Sequence, residues 1–301
     1  MNKIQERIKY IKYLNKINQR NKLPNTISPV IVCVAKLESN YIIEFVDYHL
    51  KLGFSYIFLY DNEDEPTYAS ILTKYQEQVI VIHLPGKNYE GGAQYEALKH
   101  FIFHYMSLYI ITHVIHIDID EFIVLKKHNN IIEFISEYIK ASNNNIRTGG
   151  IGINWRFFGS NGHTNNYEVP NTIRFTMCER KINPHIKTLF NKHIFHKYLD
   201  CHSIAVNNKN YPIKSTKGDI IEGPLNHNPT NDVIQLNHYK CKTLPEFKYI
   251  RSRLRADLKN NIDYDGSDYI ETEEYVVETF NNYNLNEVED FTAHDFYSSF
   301  K

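Results

Sequence analysis

Val114-Ile115-His116-Ile117-Asp118-Ile119-Asp120-Glu121 is the stretch of sequence that decides the fold. Its first half is an apolar, largely β-branched run that is typical of a buried strand, and two carboxylates one residue apart follow it. Charges beside a buried strand are costly unless an ion pair, a proton or a metal ion neutralises them. An isolated D-x-D pair is also typical of ordinary surface acids, so the neighbouring strands decide which interpretation holds.

The residues before this stretch alternate strand and helix patterns at short intervals. Strands are predicted over 29–34, 54–60 and 79–82, and helices over 41–52, 68–75 and 93–109. Apolar strands separated by helices predict an α/β fold with a mostly parallel sheet covered on both faces. Right-handed crossovers bring the carboxyl ends of such strands to one edge, where open α/β sheets bind their ligands.

The second half of the chain is less regular. Beyond residue 125 the patterns predict helices over 131–141 and 246–259, and strands over 150–155, 172–177 and 199–206. Residues 165–235 are rich in Asn, His, Lys and Pro and contain only short apolar runs. We therefore expect loops and short strands to form much of this half.

The composition excludes several classes of protein. A chain of 301 residues with 42% apolar residues can bury a large core, and 34 basic residues against 35 acidic ones predict no nucleic-acid partner. Four cysteines without C-x-x-C spacing predict reduced thiols and a cytoplasmic protein. No apolar run is long enough to span a bilayer.

The two ends of the chain differ in charge. Residues 1–22 carry seven basic residues and one acid, with apolar residues at helical spacing, which predicts a basic helical extension over 1–29. This helix either packs on protein or lies on an anionic membrane as a peripheral contact, and both interpretations stay open. Residues 261–301 carry eleven acids and one lysine, so 257–301 is predicted to be an acidic C-terminal segment.

Polar residues follow the strand ends that would share an edge with Asp118 and Asp120. Glu38 and Asp61 could accept hydrogen bonds from a nucleoside and Ala35 offers backbone groups, although each acid alone could equally begin a helix or a turn. The sequence contains no G-x-G-x-x-G after the first strand and no P-loop, which counts against dinucleotide and P-loop enzymes. A metal on the two aspartates remains as the way to bind phosphates, and oxygen ligands favour Mg²⁺ or Mn²⁺.

Several segments in order carry a resemblance to a known family. They are residues 32–38 with 44–49 and 59–62, the "D-x-D-E-F" motif at 118–122, the "W-x-x-F-G-S-x-G-H" segment at 155–163, and the "N-H-Y-x-x-K-[ST]" close at 237–243. Together they resemble glycosyltransferase family 92 and related family-2-like glycosyltransferases of the GT-A fold. The resemblance implies a mostly parallel, Rossmann-like sheet flanked by helices over 30–256, with a nucleotide-sugar half (30–125) and a less regular acceptor half (126–256).

The resemblance also implies a reaction and a set of site residues. A hexose such as galactose or glucose would move, with inversion, from a donor linked to a nucleoside diphosphate, UDP above all, to a hydroxyl of a glycan, lipid-linked or protein acceptor. The metal ligands would be Asp118, Asp120 and His238. Donor-binding residues would be Ala35, Lys36, Glu38, Asp61, Gln94, Ile119 and Lys187, and Trp155 and His163 would lie on the sugar or acceptor side.

An inverting enzyme needs a base, and alternatives stay open at this point. We select Asp200, beside His202, although Glu179, Asp219 and Glu222 also lie in the irregular half. His238 could instead be satisfied in a turn, Lys187 could be solvated and Trp155 could be a core residue. A non-catalytic nucleotide- or glycan-binding protein is the alternative function, and the missing glycine-rich loop counts against a nucleotidyltransferase.

Overall fold

A computed structural model describes residues 26–86, 89–139, 147–165, 168–252 and 272–300 of the chain. The predicted basic extension up to residue 25 and the end of the predicted helix over 246–259 lie outside the described residues. None of the helices within the described ranges is long and apolar enough to cross a membrane.

The described elements alternate strands and helices in the first half and are mainly short strands afterwards. The strands are β1 (Pro29–Ala35), β2 (Tyr56–Asp61), β3 (Val79–His83), β4 (His113–His116), β5 (Glu121–Leu125), β6 (Gly150–Phe157), β7 (Met177–Cys178), β8 (Ile186–Asn191), β9 (Phe195–Tyr198), β10 (Ile204–Val206), β11 (Ile213–Lys214), β12 (Ile234–His238) and β13 (Val288–Glu289). The helices are α1 (Ile42–Leu52), α2 (Tyr68–Ile71), α3 (Gly92–His104), α4 (Ile131–Tyr138), α5 (Asn171–Arg174), α6 (Leu244–Arg251), α7 (Glu273–Tyr283) and α8 (Thr292–Ser298), with 3₁₀ turns at Thr73–Tyr75 and Lys192–Ile194.

Nine of the described strands form one mixed, mostly parallel sheet in the order β3-β2-β1-β4-β8-β6-β12-β5, with β11 beside β6. The first four strands in sequence are parallel, which confirms the predicted α/β fold. β8 runs antiparallel to both β4 and β6, and β5 runs antiparallel to β12. Because β5 follows β4 after only four residues yet lies at the far end of the strand order, the sheet curls.

One edge of this sheet collects most of the strand ends. Since β4 and β6 are both antiparallel to β8, they point the same way, and β12 is parallel to β6. The carboxyl ends of β1, β2, β4, β6 and β12 therefore meet at one edge, together with the start of β8. This edge carries the candidate site.

Apolar side chains bury both faces of the central strands. Ile31 and Ile115 belong to one cluster with Phe45 of α1, whereas Val30 belongs to a second cluster with Phe101 of α3. A strand covered on both faces has no polar side, which explains why the sequences of these strands are continuous apolar runs. The two clusters fix the strands whose ends form the site.

Three sequence predictions about elements are wrong, and one of them is the strand predicted over 199–206, of which only Ile204–Val206 forms a strand. The helix predicted over 93–109 ends at His104, and the strand predicted over 172–177 is instead the short helix α5. The buried carboxylate of Glu44 accepts the amides of Asn171 (2.7 Å) and Thr172 (2.8 Å), which caps α5 from a residue more than a hundred positions away. The sequence around residues 171–174 does not indicate that a residue so distant in the chain caps this helix.

Candidate active site

The acidic turn, Asp118-Ile119-Asp120, links β4 to β5 at the carboxyl edge of the sheet. The Glu121 amide donates to the Asp118 carbonyl (3.0 Å), and the Asp118 amide donates to the Glu121 carboxylate (2.9 Å). Ile119 is 1% exposed and packs in the core, so a contact between this residue and a donor would fall to its backbone. Backbone, carboxylate and core packing together hold the two aspartates at the edge.

Asp118 contacts two residues that the resemblance assigns to the donor pocket. Gln94 donates from Nε2 to Oδ1 (2.7 Å), and Lys187 donates from Nζ to Oδ2 (3.2 Å). Gly91 and Gly92, with φ values of 85° and 81°, turn the chain into α3 and so place Gln94 at this edge. Lys187 is the second residue of β8, a strand that the sequence pattern missed because polar residues interrupt it.

Lys187 is fully buried between two carboxylates, 3.2 Å from Asp118 and 3.7 Å from Glu121. Burial works against its charge, but the two carboxylates outweigh burial and raise the pKa of Lys187 above its usual value. Burial also opposes ionisation of Asp118, yet the lysine lowers the pKa of Asp118. The pKa of Glu121 is raised by burial, so Glu121 takes up a proton more readily than Asp118 does.

Asp120 lies between a histidine and a second buried lysine. His238 Nε2 is 3.5 Å from Oδ1, and Lys242 Nζ is 4.0 Å from Oδ2. Burial lowers the pKa of His238 although Asp120 counteracts it, which favours the neutral imidazole. Within the described residues the Lys242 ammonium has no hydrogen-bond partner, and it lies 4.6 Å from the ring centroid of Tyr41. A buried cation of this kind is suited to an anion arriving at the acidic turn.

Lys242 is a site residue that sequence reasoning missed. It stands in the "N-H-Y-x-x-K-[ST]" segment that carried the resemblance, but no role was assigned to it. Its φ of 51° is uncommon for a residue with a side chain. The spacing of His238 and Lys242 after one strand was the signal that could have found it.

The metal ligands predicted from sequence come together only in part. Asp120 and His238 lie side by side, but both oxygens of Asp118 already accept protein hydrogen bonds from Gln94 and Lys187. In the described parts of the chain, no three His, Cys, Asp or Glu side chains are grouped as a metal site. The donor set of Asp120 and His238 suits a divalent cation that brings further ligands with it.

Trp155 is surrounded by three imidazoles. The rings of His185, His202 and His238 lie 5.2, 5.0 and 4.6 Å from it, centroid to centroid; we call these four residues the Trp155 cluster. The indole is 8% exposed and its Nε1 has no hydrogen-bond partner among the described residues. Trp155 therefore supports histidines beside the acidic turn, and only a small part of its surface remains for a sugar.

The residues expected around the nucleoside lie at the ends of β1 and β2. Ala35 pairs with Asp61 there, and the buried Asp61 carboxylate accepts backbone amides of residues 63, 67 and 68 (3.2, 2.7 and 3.0 Å). Glu38 is 1% exposed and its carbonyl accepts the amides that begin α1. Lys36 lies 3.6 Å from Asp64. All four are at the predicted edge, and the two acids also hold local turns.

Asp200 and His163 have other surroundings. Asp200 Oδ1 accepts the amides of His202 (2.7 Å) and Ser203 (2.8 Å) and the Ser203 hydroxyl (3.1 Å), so this carboxylate shapes the turn that carries His202. His163 donates from Nε2 to the Arg174 carbonyl (3.0 Å). No contact among the described residues joins His163 to the acidic turn.

The curled α/β sheet carries an acid pair and two buried lysines at its carboxyl edge, the edge at which open α/β sheets bind their ligands. Residues 28–282 match Glycosyltransferase family 92, and the chain belongs to this family of enzymes. Membership indicates sugar transfer as the kind of reaction.

Other comparisons add little to this. Among solved structures, the crystal structure of HddC from Yersinia pseudotuberculosis is similar with a TM-score of 0.32 and 11% identity, over 61% of this chain and 84% of that chain. No curated protein sequence matches the chain.

Proposed function

We propose that this protein has the GT-A fold and moves a hexose from a nucleoside-diphosphate sugar, with UDP as the nucleotide, to a hydroxyl of a glycoconjugate. Family membership supports sugar transfer. The observation that carries the donor class is the acidic turn flanked by two buried ammonium groups, those of Lys187 and Lys242. A diphosphate is an anion that such cations bind strongly when water is excluded.

The two lysines would act on the leaving group in different ways. Negative charge develops on the diphosphate as its bond to the anomeric carbon breaks, and fixed charges in a dry site stabilise it without rearrangement. Lys242 has no hydrogen bond to give up among the described residues, so it is available to the phosphate at once. Lys187 is already paired with Asp118 and would share its charge.

A divalent cation fits this scheme when it arrives with the donor. Asp120 and His238 would hold Mn²⁺ or Mg²⁺, and Asp118 would join them by exchanging one of its protein partners. Such ions are commonly bound by one or two carboxylates together with substrate phosphates. When bound, the ion would offset the charge of the diphosphate.

The remaining edge residues supply the other contacts. Ala35, Glu38 and Asp61 lie where a nucleoside bound at the ends of β1 and β2 would be, and the Trp155 cluster lies on the other side of the acidic turn. We assign the first group to the nucleoside, and Trp155, His185 and His202 of the cluster to the transferred sugar and the acceptor.

A screen of nucleotide sugars for release of nucleoside diphosphate, with and without Mn²⁺, tests the proposal. We expect release from one UDP-sugar and a loss of at least about 100-fold in Asp120→Asn, because Asp120 would hold the cation that offsets the negative charge developing on the diphosphate. Asp232→Asn is the matched control, since Asp232 is half exposed and pairs with Lys127 at 3.8 Å on the surface.

Three results would contradict the proposal. If Asp120→Asn released diphosphate at the wild-type rate, the acidic turn would have no role in the reaction. Stabilisation by UDP and metal without release of UDP from any sugar would indicate a non-catalytic binding protein. Release of pyrophosphate from a nucleoside triphosphate and a sugar phosphate would indicate a nucleotidyltransferase.

A further inference from the structure

His202 is held rigidly beside the acidic turn by the strand that delivers Lys187. Its amide donates to Asp200 (2.7 Å), its carbonyl accepts the Thr188 hydroxyl (2.9 Å), and its Nδ1 lies 3.0 Å from the Ile186 carbonyl. Thr188 and Ile186 are the neighbours of Lys187 in β8. The imidazole is therefore fixed to the element that also pairs with Asp118.

The hydrogen bond to Ile186 decides which ring nitrogen of His202 can accept a proton. A carbonyl oxygen only accepts, so Nδ1 carries the hydrogen and Nε2 keeps its lone pair. No hydrogen bond to Nε2 occurs within the described ranges. Burial, assisted by the charge of Lys187, lowers the pKa of His202 to about 4, so the ring is neutral near pH 7. A pKa of about 4 is that of an ordinary carboxylate base.

The position of His202 fits the acceptor side of the proposed reaction. The ring lies edge-on to Trp155, 5.0 Å away, and 5.9 Å from the ring of His185. His202 is hydrogen-bonded to both neighbours of Lys187 in β8, and the charges of Lys187 and Asp118 both act on it. The charge of Lys240, by contrast, is the one that acts on His185.

We propose that His202 is the general base of the transfer, an inference that rests on the proposed function. The Nε2 atom of His202 takes the proton of the acceptor hydroxyl while the oxygen of that hydroxyl forms a bond to the anomeric carbon. The bond from that carbon to the diphosphate oxygen breaks, and its electron pair leaves with the diphosphate. The imidazolium then returns the proton to solvent, and the configuration at the anomeric carbon is inverted.

This assignment gives Asp200 a different task from the one expected from sequence. Its Oδ1 is occupied by the backbone and the hydroxyl of the 202–203 turn. Asp200 is thus a positioning residue that orients His202. We expect Asp200→Asn to lose less activity than His202→Gln, because the amide oxygen of asparagine can still accept from the turn.

The test compares His202→Gln with His196→Gln, an exposed histidine of β9, in the full chain with the UDP-sugar found by the donor screen. We expect His202→Gln to lower kcat by about 100-fold or more, a typical share for a general base, while the donor KM changes by less than about 3-fold. His196→Gln should equal the wild type. Added imidazole should restore part of the rate to His202→Ala, which a purely structural role would not allow.

The possible outcomes distinguish a failure of the role assigned to His202 from a failure of the proposed sugar transfer. Wild-type activity with an unchanged kcat in His202→Gln overturns the role of His202 alone. The same holds if the donor KM rises as much as kcat falls, if His185→Gln is the more damaged variant, or if the product retains the anomeric configuration. A wild-type protein that releases diphosphate from no nucleotide sugar overturns the proposed function, and this inference with it.

Discussion

At the scale of single residues, Lys187 has unusual surroundings, because its ammonium is fully buried between Asp118 and Glu121. A buried ion pair adds little stability compared with an apolar pair, but removing one partner leaves an uncompensated charge. Lys187 therefore has two effects: it neutralises the turn that carries the site, and it holds the pKa of Asp118 low. Both effects can be separated from catalysis by measuring the stability of the fold.

We expect Lys187→Met to lower the free energy of unfolding by about 3–5 kcal/mol at pH 7, since two carboxylates lose their buried cation. Urea unfolding followed by circular dichroism measures the loss. Lys127→Met is the control, because Lys127 and Asp232 form an exposed pair that contributes less than about 1 kcal/mol. Equal losses of unfolding free energy in the two variants would show that the buried ion pair contributes no more to stability than the exposed one.

At the scale of elements, the carboxylate of Glu246 joins three helices. It accepts from Arg174 of α5 (2.7 and 3.1 Å) and from Tyr41, which precedes α1 (3.0 Å), and it forms a capping box with Thr243 at the start of α6. Burial opposes its ionisation, but the hydrogen bonds from Arg174 and Thr243 outweigh burial and lower the pKa of Glu246. Elements far apart in sequence thus share one buried anion.

Glu246→Gln should destabilise the protein by about 1.5–3 kcal/mol at pH 7, the contribution of hydrogen bonds to a charged group. A lowered pKa in the folded state means that this contribution is present above the unfolded value of about 4.3 and is lost as the pH falls through the folded value. Unfolding measured from pH 7 to pH 3 should therefore show the two proteins converging below about pH 4.

Glu133→Gln is the matched control for this experiment. Glu133 also accepts amides around a helix start, at α4, but it is exposed. We expect a loss below about 1 kcal/mol at pH 7. A difference between wild type and Glu246→Gln that stays constant from pH 7 to pH 3 would contradict the role assigned to the buried anion.

The elements that could be predicted from sequence are those whose cause is local. β1, β2 and β4 are largely apolar runs buried on both faces. Helix α1 ends just before Gly53, whose φ is 107°, as the position of this glycine after the apolar repeat predicts. α5 was missed because the carboxylate that caps it comes from Glu44. β8 was missed because Lys187 is polar at a position where the pattern requires an apolar residue.

The same distinction holds for the candidate site. Strand ends alone predict that Asp118, Asp61 and Gln94 share an edge, since parallel strands bring them there. The role of Asp200 in orienting a histidine, and the approach of Lys242 to Asp120, depend on turns whose geometry no local spacing encodes. Sequence therefore located the edge and its two aspartates, but not the position of Lys242 or the way His202 is oriented.

For the molecule as a whole, the C-terminal residues are part of the main fold. The family match ends at residue 282, yet β13 pairs with β7, and Asp290 accepts from Arg156 (3.2 Å) and Gln235 (3.0 Å). Phe296 packs edge-on to Tyr48 of α1, 4.9 Å between centroids. The last helix and strand thus cover α1 and the end of β6.

A chain ending at Tyr283 should lose at least about 4 kcal/mol of unfolding free energy, since the aromatic side chains of α8 contribute about 1.5–3 kcal/mol each when buried. Urea unfolding and binding of a dye that recognises exposed apolar surface measure the effect. Phe291→Ala, at a residue that is 43% exposed, should change stability by less than about 1 kcal/mol. A shortened chain as stable as the full one would contradict this packing.

The position of Trp155 has an optical consequence. The chain has 23 tyrosines but a single tryptophan, so light absorbed only by indole reports on one place in the protein. That place is a ring with three imidazoles within 5.2 Å, one of which faces Asp120. Any event that charges or displaces these imidazoles should change the intensity or colour of emission. Nucleotide titrations can therefore be followed by intrinsic fluorescence, without a label and before the acceptor is known.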